Sequence, residues 1–489
     1  MKTAIVWFRT DLRLADHPAL HAALGAAETV IPLYVHAPQE AAPWAPGAAS
    51  NWWLHHSLAA LDDALRERGA RLVLARGDSA AVLARLCAEH GAGVIHATRL
   101  YEPALAARDR RLAGELAAQG IALHLHEGAT LLAPERMLKP DGTPFRVFTP
   151  FWRRLQERYA PQPPLPAPAA VPFPASKVTS LGLDELGLLP RVRWDHGLRE
   201  HWQPGEEYAA RRLAQFAGNT LADYAQARDR PALAGTSRLS PHLHFGELSP
   251  RQAWRELSNG TAAGAPGTRG TEAWLRELGW REFAQHVLHH FPHTSDAPMD
   301  ARFERFPWRT DGGALLAAWQ RGQTGIPIVD AGMRELWRTG WMHNRARMLA
   351  ASLLTKNGLI GWREGARWFW DTLVDADLAS NSLGWQWTAG CGVDAAPYFR
   401  IFNPVLQGER FDPQGDYVRR WVPELAALEP KHIHQPWRAP PSVLAAHGIT
   451  LGRTYPRPMI DLAASRAAAL AMYKSMGMQF RSVPMHSRR

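Results

Sequence analysis

Three stretches pair charged or hydrogen-bonding side chains with rings that can stack. In WLRELGWREF, Glu277, Trp280 and Arg281 fall at i, i+3 and i+4 spacing, so a helix places them on one face. A carboxylate beside an indole and a guanidinium can read a base edge and stack on it. The same trio can equally be an ion pair over a core tryptophan. WMHNRARMLA repeats the pattern with Asn344, Arg347 and Met348, and Trp341 lies one turn earlier. Arg345 points elsewhere, where it could meet a phosphate. GTSRLSPHLHFGELSP sets Thr236, Ser237, Arg238 and Ser240 beside Gly235 and ahead of an expected helix. Such donors at a helix N-terminus suit a phosphate, and they serve equally well as caps and turns.

DTLVDADLASN supplies Asp371, Asp375, Asp377 and Asn381. Asp-x-Asp could bind a divalent cation, but no other ligands cluster nearby, and pairing of an aspartate with Arg347 is the better reading. The 22 histidines show no H-E-x-x-H or similar zinc spacing, so no metal is expected. Tryptophan is abundant, 21 against 9 tyrosines. A buried indole N–H needs a partner, so this excess points to stacking or redox use of the rings, or to a tryptophan-rich core. NSLGWQW concentrates the question. On a helix, residues two apart point about 200° apart and residues four apart share a face. Asn381 and Trp385 would then share a side, and Trp387 would face another.

At 489 residues the chain needs two or three domains. Its net charge of +10 favours a polyanionic partner, nucleic acid first. Two distant cysteines, Cys87 and Cys391, build neither a disulfide framework nor a thiolate metal site, which fits the cytoplasm. The apolar run Thr3 to Phe8 is too short for a signal sequence or a membrane span, so no membrane is expected.

The elements that must position these groups read in two blocks. TAIVWF, TVIPLYVHA, RLVLARG, GVIHATR and IALHLHEG are strands, and helical stretches such as SLAALDDALRERGA alternate with them. That alternation predicts a parallel sheet covered on both faces. No G-x-G-x-x-G follows a strand, so no dinucleotide fingerprint is present. The proline-rich stretch from Ala160 to Ser176 should run extended. Beyond about Pro204, GEEYAARRLAQFAG, EAWLRELGWREFAQHVLHHF, DAGMRELWRTG and WMHNRARMLAASLLTKNG carry helical periodicity. The expected architecture is α/β plus all-α: a doubly wound parallel-sheet, Rossmann-like domain over 1–130, a linker over 131–203, a helical domain over 204–475 and a basic, disordered tail over 476–489.

Taken together, these stretches resemble one family. GTSRLSPHLHFGELSP, GWREF, TGIPIVDAGMRELWRTGWMHNRARM and VDADLASNSLGWQWTAGCGVDAAPYFRIFNP resemble the helical, FAD-binding domain of the photolyase/cryptochrome family, and AIVWFRTDLRLADHPAL resembles its first strand and loop. The resemblance runs from residue 2 to about residue 440. WxW, Trp280 and Met348 are similar to cyclobutane pyrimidine dimer photolyases, and WMHNR lacks the histidine pair usual in (6-4) photolyases. NWWLHHSLAALDDAL and NSLGWQW are similar to bacterial photolyases related to plant cryptochromes.

The resemblance implies a role for each matching residue. Tyr224, Thr236, Ser237, Arg238, Leu239 and Ser240 would hold the FAD phosphates and ribityl chain. Trp274, Arg281, Trp341, Asn344, Arg347, Asp375 and Asp377 would line the rest of the cofactor site, and Asn381 would sit opposite flavin N5. There an amide favours the reduced anionic flavin, whereas plant cryptochromes usually carry aspartate. The implied reaction is light-driven repair of pyrimidine dimers in damaged DNA. The dimer is extruded into a pocket, excited reduced FAD lends it one electron, and the electron returns after the ring splits. Glu277 and Asn344 would hydrogen-bond the dimer, Trp280 and Trp387 would pack on it with Met348 nearby, and Arg228, Arg345 and Arg400 would grip phosphates. Trp385, Trp362 and Trp308 match the tryptophan chain that reduces oxidised flavin in light, with Trp319, Trp337 and Trp370 as other possible routes.

A second antenna chromophore is also implied, methenyltetrahydrofolate or a deazaflavin. Where many folate-binding members carry Asn-Glu, this chain has Ala104 and Leu105, and NWWLHHSL leaves a different folate mode open. The protein is expected to act as a monomer. A blue-light receptor using the same flavin is the alternative, disfavoured by Asn381, Trp280, Trp387 and the little sequence beyond residue 475. A colourless, basic, helical DNA-binding protein is the third reading.

Overall fold

The computed structural model describes residues 2–259, 268–395, 397–398 and 400–475. The expected tail over 476–489 lies outside the described residues. The chain packs into two compact units. The first comprises Met1–Ala225, Thr236–Pro292 and Trp370–Ser380, and the second Gln226–Gly235, His293–Phe369 and Asn381–Arg489. Among the described residues no helix is long and apolar enough to cross a membrane.

The first unit is built on the predicted parallel sheet. Strands β1 (Thr3–Phe8), β2 (Thr29–His36), β3 (Val73–Arg76), β4 (Ala92–Thr98) and β5 (Ala122–His126) lie in the order β3-β2-β1-β4-β5. Thr3 pairs with Thr29 on one side, and on the other Ile5 pairs with Ile95. Every residue of β1 is buried. A strand covered on both faces can be apolar throughout, and TAIVWF is such a run. Helix α1 (Pro18–Ala26) lies against β1 and β4 on one face. Then come α2 (Ala48–Arg66), α3 (Ser79–His90) and α4 (Pro103–Ala117). On the opposite face Leu83 and Leu86 of α3 and Leu112 and Leu116 of α4 form one core with Ile5, Trp7 and Leu33.

The local signals are conventional. At the start of α3 the Asp78 carboxylate accepts from Ala81 N–H, and at its end Gly91 takes φ +62°. An N-cap carboxylate satisfies a donor the helix leaves open, and glycine enters the left-handed region without a Cβ penalty. The proline-rich segment forms neither helix nor strand. It is nonetheless pinned, because Val171 N–H donates to Arg68 O, Val30 N–H to Pro172 O and Asp16 N–H to Leu165 O.

The remaining elements are helical, as the periodicity predicts. Helix α5 (Phe148–Arg158) and the helices Glu206–Asn219 and Arg269–His290 belong to the first unit. Pro327–Thr339 and Asn344–Ser352 belong to the second. WMHNRARMLAASLLTKNG is not one uninterrupted helix. After Ser352 it widens into a π-helical turn over Leu353–Asn357.

Candidate functional site

In the first unit, helix Arg269–His290 gathers several of the residues singled out by sequence. Its Thr268 cap accepts from Thr271 N–H. Gly270 lets it approach the preceding turn, since a Cβ there would stand 1.8 Å from Leu221 O. Trp274, buried, donates its indole N–H to Ser237 Oγ at 3.2 Å and tilts against Phe216, which meets Tyr224 edge-on at 5.5 Å. Tyr224, Ser237 and Trp274 thus form one cluster.

The loop over Thr236 to Ser240 carries a strained residue. Arg238 has φ +52°, a left-handed conformation that costs on the order of 1–3 kcal/mol for a residue with a Cβ. The turn lets Ser237 O accept from Arg212 Nε at 3.0 Å, and Ser240 Oγ donates to Asp375 Oδ2 at 2.6 Å. The helix that follows, Ser240–His244, has five residues. That is too short to supply much macrodipole, so anion affinity here would come from the hydroxyls and guanidinium groups instead. Arg212 was not singled out by sequence. Burial first, and then the charge of Arg238, push its guanidinium down to about 10. Two arginines held within reach of one another suit a bound dianion.

A small cavity of about 40 Å³ lies beside this helix, lined by Glu102, His244, Arg281, Gln285 and Asp377 among others. Asp377 Oδ2 accepts from Gln285 Nε2 at 3.0 Å and Oδ1 from Ser380 N–H at 2.7 Å. Burial would raise its carboxyl, but the hydrogen bond and charge of His244, with Arg281 and the Ser380 amide, hold it down to about 2. Glu102 behaves oppositely. Burial and then the charge of Asp377 raise it to about 7, against the opposing pull of His244 and Arg108. Arg281 pairs with Glu282 at 3.1 Å. Trp280 is half-buried and lies flat on Phe148, centroids 3.8 Å apart and planes 7° from parallel. Phe148 backs one ring face, which makes Trp280 a rigid platform. Glu277 is also half-buried, one turn before Arg281.

A larger cleft of about 130 Å³ opens at the C-terminal ends of β1 and β2, lined by Trp7, Tyr34, Trp44, Leu54, Glu102 and Trp370 among others. The strand order reverses between β1 and β4, the place where open α/β sheets bind ligands. Arg9 and Arg108 lie over the Trp7 ring at 4.8 and 4.7 Å. Their charges are met by Asp109 and Glu40. Sequence reading did not find this cleft. NWWLHHSL reaches it only through Leu54, with Ser50 just before the stretch. Trp52 and Trp53 themselves are core, donating to Asp195 Oδ2 at 3.1 Å and Glu247 Oε1 at 3.0 Å.

In the second unit, helix Leu378–Ala389 carries Asn381, Trp385 and Trp387. Asn381 Nδ2 donates to Ala366 O at 3.0 Å, which leaves Oδ1 as the acceptor of the amide. Trp385 is 3% exposed and Trp387 is half-buried, so the two rings occupy different environments. Gln386 between them is fully used: Oε1 accepts from Met299 N–H, and Nε2 donates to Thr294 O and Ala297 O.

Trp385, Trp362 and Trp308 line up along the start of helix Trp362–Thr372. Gly365 receives the Trp385 ring so closely that a Cβ would stand 2.0 Å from it. Trp362, one turn earlier, is 2% exposed. Gly361 faces Trp308, with 3.8 Å from an added Cβ to the ring. Trp308 is half-buried on Phe306, so the series runs from core to surface. Trp319 also meets Trp385, edge-on at 6.1 Å, but it is fully buried and donates to Ala350 O. Trp337 is 64% exposed and stacks with Trp368.

At helix Asn344–Ser352 the His343 ring caps the start by accepting from Arg345 N–H. Asn344 is exposed, Met348 half-buried and Trp341 buried. Arg347 Nε donates to Met342 O at 2.8 Å. Arg345 is paired with Asp229 at 2.5 Å and lies over Phe411. A phosphate at Arg345 would therefore share it with a carboxylate. Arg228, beside Asp229, is half-buried, and Arg400 is exposed.

Comparison with known proteins shows the family. The family model for DNA photolyase matches residues 4–169, and that for the FAD binding domain of DNA photolyase matches residues 274–475. The deoxyribodipyrimidine photo-lyase of Agrobacterium fabrum is 46% identical over 482 residues, covering 97% of this chain and 99% of that protein. Cryptochrome-1 of Arabidopsis thaliana is 40% identical over 478 residues, covering 95% of this chain and 69% of that protein. The crystal structure of a bacterial class III photolyase from Agrobacterium tumefaciens superposes with a TM-score of 0.94 at 45% identity, covering 98% of each chain. The chain belongs to the photolyase/cryptochrome family.

Proposed function

We propose that this protein is a light-driven DNA repair enzyme that splits cyclobutane pyrimidine dimers, acting as a monomer in the cytoplasm. The observation that carries the reading is Asn381. Its amide nitrogen donates to Ala366 O, which leaves an uncharged oxygen as its acceptor. Such a group accepts a hydrogen bond and adds neither an acidic proton nor negative charge, which favours an electron-rich reduced cofactor.

The residues present fit FAD. Arg212 and Arg238 form a like-charged pair that a pyrophosphate would relieve, with the Ser237 and Ser240 hydroxyls on the same loop. Tyr224, Thr236, Leu239 and Trp274 complete that group, and Arg281, Asp375 and Asp377 are assigned to the rest of the cofactor. The family resemblance gives Trp341, Asn344, Arg347 and Asn381 the same assignment. When bound and reduced, FAD supplies the excited-state electron that opens the dimer. Trp385, Trp362 and Trp308 restore electrons to the cofactor from the surface.

Glu277 and Asn344 hydrogen-bond the flipped-out dimer. Trp280 and Trp387 stack on it, with Met348 completing an apolar wall. Arg228, Arg345 and Arg400 hold phosphates, in keeping with the net charge of +10. The cleft at the sheet's C-terminal end is assigned to a second chromophore, a folate or a deazaflavin. Its support is its place at the sheet's switch point and its lining of Trp7, Tyr34, Trp44 and Trp370.

The 40% identity to a plant cryptochrome supports a second reading, a blue-light receptor. One experiment separates the two. The reduced, flavin-loaded protein is mixed with thymine-dimer DNA and illuminated with blue light. Restored thymines support repair. No restoration with FAD confirmed bound overturns it in favour of the receptor.

A further inference from the structure

We propose that Lys356 is a positioning residue for DNA binding, its buried ammonium pinning the loop that presents Arg400. The proposal rests on the reading above that Arg400 grips a phosphate.

Lys356 lies in the π-helical turn Leu353–Asn357 and is 1% exposed. Its Nζ donates to Tyr398 O at 3.1 Å and Arg400 O at 3.3 Å, and stands 4.9 Å from the centre of the Tyr398 ring. A lysine is almost never fully buried without such partners. An apolar side chain in its place would leave the Tyr398 and Arg400 carbonyls without this donor, at a cost on the order of 1–3 kcal/mol each. What it holds is specific: two carbonyls two residues apart, one belonging to Arg400 itself.

Among the described residues the Tyr398 ring also stacks on Tyr473 at 4.4 Å and meets Phe303 and Phe306. Arg400 N–H donates to Pro397 O at 2.8 Å, a bond internal to the loop, and Phe402 N–H donates to Ser352 Oγ at 3.3 Å. The turn is built to bring the lysine there. Gly358 N–H returns to Leu353 O at 2.7 Å, closing the wider π-type ring, while Thr355 Oγ1 donates to Ala351 O at 2.7 Å. The extra residue such a turn inserts re-aims the side chains that follow, and π-turns occur often at functional sites. With both carbonyls drawn inward onto Nζ, the exposed Arg400 has a fixed base from which to reach a phosphate.

The test compares full-length, flavin-loaded wild type, Lys356→Met, Arg400→Ala and the double variant, binding a duplex with one thymine dimer across a salt series. Arg400→Ala should weaken binding roughly fivefold at 0.1 M salt and make the slope of log affinity against log salt shallower by about one. Lys356→Met should shift the slope the same way, and the double variant should bind no worse than Arg400→Ala. Wild-type binding and slope in Lys356→Met, beside a weakened Arg400→Ala, overturn the proposal alone, as does a double variant that loses the product of the two effects. An unchanged Arg400→Ala overturns the phosphate-grip reading and the proposal with it. Should Lys356→Met fail to fold, Lys356→Gln, which keeps one donor, should bind between wild type and Arg400→Ala. Amide exchange at Phe402 gives a measurement without DNA. It should speed up in either lysine variant, and unchanged protection overturns the proposal.

Discussion

The tryptophans of the two units are fixed by different means. In the first unit four indole N–H groups are tethered: Trp52 to Asp195, Trp53 to Glu247, Trp274 to Ser237 and Trp370 to Ala45 O. In the second, Trp385 and Trp308 are seated on glycines, Gly365 and Gly361, that flank Trp362 at the start of one helix. A tether fixes a ring wherever an acceptor happens to lie. Seating rings on successive glycines brings them into sequence along one line, from the core to the surface. Trp319 tests the distinction within the second unit, since it touches Trp385 yet is tethered to Ala350 O.

The largest expected effect follows from that contrast. Trp385→Phe should abolish light-driven reduction of the oxidised flavin, followed as loss of its blue absorbance with an external electron donor present. Trp319→Phe should leave photoreduction nearly intact and instead cost on the order of 1–3 kcal/mol of stability, because Ala350 O loses a buried partner. Equal loss of photoreduction in both would break the comparison.

The next effect separates neighbours on helix Leu378–Ala389. Trp387→Ala should weaken binding of thymine-dimer DNA by about 1–3 kcal/mol, the usual worth of a ring stacked on a base, while photoreduction proceeds. Trp385→Phe should do the reverse. A shared defect would mean that the difference in burial between the two rings has no functional counterpart.

How much of this was legible beforehand varies by element. The parallel sheet was, because strands covered on both faces leave continuous apolar runs such as TAIVWF. So was the split between Trp385 and Trp387, which needs only helical spacing. The TSRLS loop was found, although its short following helix removes the expected dipole. The widening at Leu353–Asn357 was not legible, since LLTKN keeps helical composition while changing its hydrogen-bond ring. The large cleft was hidden because Trp7, Trp44 and Trp370 come from three distant segments. Trp52 and Trp53 drew attention as a chromophore stretch, but their acceptors lie 143 and 194 residues away, beyond the reach of any local pattern. Arg212 and Gln386 carry no motif. Each matters through the atoms it meets, and tertiary partners leave no periodic trace.

A smaller effect probes the seating itself. Gly365→Ala would put a methyl group 2.0 Å from the Trp385 ring, whereas at Gly361 the nearest Trp308 atom is 3.8 Å away. Overpacking of the first kind typically costs about 1–3 kcal/mol, so Gly365→Ala should lower the melting temperature and slow photoreduction as the ring shifts. Gly361→Ala should leave both nearly unchanged. If the two variants melt together, Gly365 is not seating the ring.

The smallest effect belongs to the first unit, where two carboxylates on one cavity are pushed in opposite directions. Asp377, held down to about 2, contributes stability that is fully present above its ordinary value of 3.8 and is lost as pH falls through 2. Glu102, raised to about 7, has the opposite sign. The folded state then holds its proton more tightly than the unfolded chain. Its contribution is fully present below the ordinary value of 4.5 and disappears as pH rises through 7. Glu102→Gln keeps the shape and removes the titration, so the stability profile of the variant should be flatter than wild type between pH 4.5 and 7, with the acid limb set by Asp377 unchanged. Chemical denaturation across that range measures it. A variant profile that parallels wild type would mean that Glu102 keeps its charge in the folded protein, and that the cavity shared with Asp377 carries two negative carboxylates rather than one.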